Sequence, residues 1–479
     1  MKFLGQAAAV FLLSALPVYA GDVSATPIGD EDASPQVRTL SEALSGASVQ
    51  TLDVPGLDPA DVAAELNQPT NLEPVPGRPT RSEDEATELD PRGDETDADD
   101  EAEDEEDEIE EMATLLGKPW HQLGPISGEY FYTGEVFSNT RGGISTKGAT
   151  RYRGNLDLSL RLDTAAAHWW DGGEFYVYMQ QSQGTTLTPE FVGDGQYYSN
   201  IDTGTKPQSL TQLGEYWYGH TFGENVLTVR VGRHDPNNDF AFADLGSDFI
   251  NSSFVTLPNI PMPFWPFQTL GVTALFQPHE KWRLGGAVND QGRDIGQWWA
   301  STTSRGMFYI AQADYLPLAD IEDAPLTIFR AGAWGSSSDT EAVDASRDFE
   351  NNYGFYTTID RMLFREHDSI DQGLGIFFQY CWAPSDRNQV DQGIGGGLVY
   401  TGLLPGRDID TCGVGFSQIQ FSPGLEALTG QTSEDAIEAF YKVRVNDWCA
   451  IIPDLQYIAR PSGIYSDAMV AGFRFEVNL

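Results

Sequence analysis

A chain of 479 residues with a net charge of −44 would be repelled by nucleic-acid phosphates, which excludes that class of partner. Its 49 glycines and 12% aromatic residues come without any internal apolar run of about 18, which excludes a bundle of membrane-spanning helices. Cys381, Cys412 and Cys449 are odd in number and lack ligand spacing, so no disulfide framework, metal site or cofactor is expected.

Residues 1–20 read as a secretory signal. Lys2 supplies the positive start, Ala7 to Leu16 the short apolar core, and Val18-Tyr19-Ala20 the small-residue cleavage site. Residues 21–114 form an acidic N-terminal extension, in which nineteen of the 29 residues from Glu83 to Glu111 are Asp or Glu. Such a segment has too little apolar surface to offset its ordering entropy, so it is expected to be disordered. Asp58 could cap a short helical patch near Leu66. The run reads either as a solvated spacer or as a contact for cations and basic partners.

From residue 115 to 479 the composition changes and two-residue alternation takes over. A strand sends successive side chains to opposite faces, so alternation gives each segment one oily and one polar side. Strands are expected at 128–136, 155–163, 174–180, 214–222, 226–232, 270–277, 282–289, 307–315, 327–334, 353–360, 374–382, 393–400, 412–417, 437–445, 449–458 and 469–479. The second is the plainest: Leu156, Leu158, Leu160 and Leu162 oppose Asn155, Asp157, Ser159, Arg161 and Asp163. In the last, Met469, Ala471, Phe473, Phe475 and Val477 oppose Val470, Gly472, Arg474, Glu476 and Asn478.

Tight connections, such as Asn446-Asp447-Trp448 and Pro278-His279-Glu280, alternate with long ones at 184–212, 234–269, 335–352 and 418–436. Short turns on one side and long loops on the other are what a transmembrane barrel requires. Aromatics near strand ends (Trp169-Trp170, Tyr216-Trp217-Tyr218, Trp298-Trp299, Trp448) fit an interfacial girdle. The expected fold is all-β: a transmembrane antiparallel β-barrel of about 16 strands behind a disordered acidic extension. A soluble sandwich would also alternate, but it needs neither a lumen full of charges nor a strand at the very end.

Longer motifs carry a resemblance. Gly373-Leu374-Gly375-Ile376-Phe377 leads to Ala383-Pro384-Ser385-Asp386-Arg387-Asn388. Then follow Gly395-Gly396-Gly397-Leu398-Val399-Tyr400-Thr401-Gly402-Leu403-Leu404-Pro405-Gly406-Arg407-Asp408 and Asp410-Thr411. With Pro453-Asp454-Leu455-Gln456-Tyr457-Ile458, Phe249-Ile250-Asn251 and Tyr198-Ser199-Asn200-Ile201-Asp202, the chain from about Ile126 onward resembles the carbohydrate-selective porin family (OprB type). That resemblance implies a sixteen-stranded barrel in the bacterial outer membrane, diffusion of glucose-like sugars, and no catalytic residues. Small sugars and outer-membrane lipid are the implied partners, with a homo-oligomer left open. Members of the family tend to end on an aromatic residue, whereas this chain ends on Leu479.

A sugar offers hydroxyls and a weakly apolar ring face, so a selective pore should present charged hydrogen-bonding groups and aromatic platforms. Strand parity places Glu215 and Trp217 on one inward face and Arg230 on the next. Arg233, Asp235 and Asp239 open the long loop, and Trp265 lies further along it. Glu215, Trp217, Arg230, Arg233, Asp239 and Trp265 are therefore the candidate pore-lining residues, with a Glu215–Arg230 brace across the wall as the alternative role. Two other functions stay open at this stage: a structural outer-membrane protein whose acidic arm contacts the cell wall, and a secreted glycosidase built on paired carboxylates. The second lacks any recognisable catalytic motif.

Overall fold

The computed structural model describes residues 124–203, 209–223, 225–292, 298–299, 305–321, 323–366 and 372–478. The expected signal, the acidic extension and Leu479 lie outside them.

Sixteen strands close into one antiparallel barrel. They are β1 (Ile126–Gly143), β2 (Thr150–Asp163), β3 (Gly173–Gly184), β4 (Leu210–Phe222), β5 (Leu227–His234), β6 (Thr269–His279), β7 (Trp282–Asp290), β8 (Met307–Tyr315), β9 (Thr327–Ser336), β12 (Asn352–Arg365), β13 (Gly373–Trp382), β14 (Val390–Thr401), β15 (Thr411–Phe421), β16 (Ser433–Asn446), β17 (Cys449–Ala459) and β18 (Ser466–Asn478). A separate hairpin, β10 (Thr340–Glu341) with β11 (Asp348–Phe349), sits in the connection from β9 to β12. Each strand expected from alternation falls on one barrel strand, and 307–315 matches β8 at both ends.

The alternation has a physical consequence. On β18 the outward Phe473 is 44% exposed while the inward Arg474 is 4% exposed. Leu160, Val231, Leu398, Val414 and Leu455 also stand open on the outer face. A belt of this size would be costly in water and is satisfied by hydrocarbon. Closure through β1 and β18 pairs the last strand edges, from Phe131 opposite Asn478 to Gly143 opposite Ser466.

Contrary to a uniformly polar inner face, the inside also holds two large apolar clusters. Residues 185–203 and 235–268 fold into the barrel. Along the second, Phe240, Phe249, Ile250, Phe254 and Trp265 are at most 2% exposed. Phe240 and Trp265 share a core with the inward Ile310 and Trp334, and Phe249 and Phe254 share another with Phe377 and Phe440. Gly415 makes this fit, because a Cβ there would lie 2.6 Å from the Phe249 ring and 2.8 Å from that of Phe254. Beside the inward loops a partly exposed strip remains on β2–β5, at Arg161, Glu174 and Arg230.

Candidate functional site

The uncovered strip is built by parity and register. Arg161 on β2 is opposite Tyr176 on β3, which is opposite Trp217 on β4. Arg230 on β5 is opposite Gly219, two residues beyond Trp217. Unlike the buried inward residues under the loops, the charged members keep lumen access: Arg161 is 29% exposed, Glu174 30% and Arg230 18%.

Four of the six candidate residues meet here. Glu215 Oε2 accepts from Trp217 Nε1 at 3.1 Å, and its Oε1 accepts from Asn238 Nδ2 at 3.2 Å. Arg230 Nη1 donates to Asp239 Oδ2 at 2.6 Å, and its guanidinium lies 4.5 Å over the Trp217 ring. The ion-pair partner of Arg230 is thus Asp239, on the loop, and Glu215 orients the indole. Pro236–Asn238 is a single 3₁₀ turn, begun by Asp235, whose carboxylate accepts from Asn237 N and from Trp265 N, both at 2.8 Å. Desolvation, with Glu215 nearby, pushes the Asp235 carboxyl up to about 8. This clasp ties the start of the loop to its far end.

The other two candidates lie elsewhere. Trp265 is 2% exposed in the apolar core of the loop, because that loop packs as a plug whose large rings face the wall. Arg233 is fully buried and on the opposite parity from Arg230; its Nε donates to the Gln268 carbonyl at 3.0 Å. An odd spacing along one strand cannot put both arginines on the lumen face.

The strip also contains residues that were not singled out from sequence. Tyr176 stacks on Trp217 with ring centroids 4.8 Å apart and planes 27° apart. Arg161 lies 5.6 Å over Tyr176 and pairs with Glu174 at 3.0 Å. The available signal was the same alternation on β2 and β3, together with the cross-strand register. Chemically, the strip offers guanidinium, carboxylate and ring-edge groups along a water-accessible wall, suited to exchanging hydrogen bonds with a passing polyol.

The sequence model of the carbohydrate-selective porin, OprB family, matches residues 147–479. Porin B of Pseudomonas aeruginosa is 22% identical over 392 residues, spanning 72% of this chain and 86% of that protein. The high-pH structure of Pseudomonas putida OprB superposes with a TM-score of 0.68 at 20% identity, covering 78% of this chain and 97% of that one, which shows a shared fold. With the family match extending over most of its length, this chain belongs to the OprB family of carbohydrate-selective porins of the bacterial outer membrane.

Proposed function

We propose that this porin passes small neutral sugars of the glucose type by passive diffusion along the β2–β5 strip. The observation that carries the proposal is the pairing of every strip cation named above with a carboxylate: Arg161 with Glu174 and Arg230 with Asp239. A wall of paired charges offers many donors and acceptors with little net field, which favours neutral polyols over ions. Proteoliposome swelling tests this. Glucose should enter faster than linear or non-sugar solutes of equal size; uptake ordered by size alone would overturn it.

Arg230 should be a direct contact. Its replacement by alanine removes charge-assisted hydrogen bonds worth about 1.5–3 kcal/mol, or roughly 10- to 100-fold in sugar affinity. Single-channel titration of Arg230→Ala should show that weakening, with ion conductance unchanged or larger. A lowered melting temperature with unchanged sugar affinity would make Arg230 a brace for the loop instead.

The proposal extends to domain organisation: residues 1–20 are removed on export, 21–114 act as an acidic spacer, and 115–479 make the barrel. Deleting 21–112 should leave conductance within about twofold and remove the first protease cleavage sites. Loss of barrel assembly in that variant would contradict the spacer role.

A further inference from the structure

We infer that the strip meets sugars with the edges of a four-residue stack, Arg161–Tyr176–Trp217–Arg230, and that Tyr176 sets its selectivity by positioning Trp217 and Arg230. The inference rests on the sugar passage proposed above and specifies how the wall reads its solute. Strands in a sheet lie about 4.8 Å apart, and the Tyr176–Trp217 centroid separation is 4.8 Å with nearly parallel planes. The two rings therefore face each other across neighbouring strands and stand upright on the wall.

The indole's own contacts agree. Its Nε1 points to Glu215, and its Cζ3 lies 3.0 Å from where a Cβ on Gly219 would sit. Glu215 and Gly219 precede and follow Trp217 on the same face of β4, so the ring plane runs along the strand. Tyr176 flanks it from β3 and the Arg230 guanidinium from β5, at 4.5 Å, so both faces are covered.

A saccharide in the lumen then reaches ring rims and guanidinium N–H groups, while the ring faces are hidden. Arg230 Nη1 is committed to Asp239, and Nη2 makes no protein hydrogen bond among the described residues. An apolar platform would tolerate missing hydroxyls, because it binds the C–H face of the sugar. A hydrogen-bonding edge discriminates against them, because its donors are left without partners.

The test is a titration of single-channel current with glucose and with 2-, 3- and 6-deoxyglucose. Wild type should bind glucose about fivefold more tightly than at least one deoxy analogue. Tyr176→Leu removes the flanking ring; glucose block should weaken about fivefold and the glucose-to-deoxyglucose ratio should fall toward one. Tyr176→Phe keeps the ring and should restore both to within about twofold of wild type. Tyr176→Val, with good strand propensity, replaces the leucine variant if the latter does not insert. Equal or tighter glucose block in the stack-breaking variant would overturn the edge-on stack, since an uncovered Trp217 face would then be the better site. Absence of any sugar block in wild type would overturn the sugar passage itself.

Discussion

Glu135→Ala should destabilise the barrel by about 3–5 kcal/mol, the cost of leaving buried charges without their partner. Glu135 is 1% exposed and sits between two buried arginines on the strands either side of it. Its Oε1 lies 2.5 Å from Arg153 Nε on β2, and its Oε2 lies 3.0 Å from Arg474 Nη2 on β18. Because β1 and β18 form the closing seam, with Glu135 directly opposite Arg474, this carboxylate joins the first strand to the last. It also accepts from Ser199 Oγ at 2.7 Å, and Arg474 donates to Asn200 at 2.7 Å, so the inward segment 185–203 hangs on the same group. Without Glu135, Arg153 retains Asp202, 2.7 Å from its Nη1, while Arg474 loses its ion-pair partner and keeps the nearby Asp454. Unfolding followed by heat-modified gel mobility should shift strongly downward. Adding Arg474→Met should recover part of the loss, because removing both charges is cheaper than stranding one. A change below about 1 kcal/mol in the single variant would mean that the seam does not depend on this network.

Glu438→Ala should release the main inward loop and raise conductance. Glu438 is fully buried, and its carboxylate accepts from Ile250 N at 2.6 Å and Asn251 N at 2.8 Å. Both donors lie inside the barrel, and alanine would leave them without partners at about 1–3 kcal/mol each. The neighbouring Glu434 holds the other inward connection in the same way, accepting from Gly195 N at 2.7 Å and Gln196 N at 2.9 Å. The apolar packing of Phe249 and Phe254 persists in the variant, so the barrel should still assemble while the loop moves away from the wall. Bilayer recordings should show a larger and noisier channel with weakened sugar block. Wild-type conductance and unchanged thermal unfolding together would show that the loop is held by its apolar core alone.

The outer architecture was legible in the sequence because lipid and lumen impose opposite demands on alternate residues, as Phe473 and Arg474 illustrate. The interior was harder to read. Phe440 lies among inward charges on β16, and its reason appears only when Phe249 packs against it at 4.8 Å from a residue nearly 200 positions away. Loop residues carry no periodicity, so Trp265 could be named as aromatic but not placed; it faces the core of the plug. Arg233 was read as opening the long loop, whereas β5 continues through His234 and keeps it on the strand, opposite in parity to Arg230. Tyr176 and Arg161 were inward by parity, yet their importance depends on the register that brings them beside Trp217. The β10–β11 hairpin, two residues per strand, is too short for alternation to register.

The central claim is that a sugar occupies the lumen strip while it crosses. Single-channel current through the wild-type protein, titrated with glucose at constant viscosity and salt, tests it most directly. A reversible, saturating fall in current is the predicted result, because a bound sugar displaces conducting water and ions. A current that tracks solution viscosity alone, without saturation, would contradict sugar recognition by this porin.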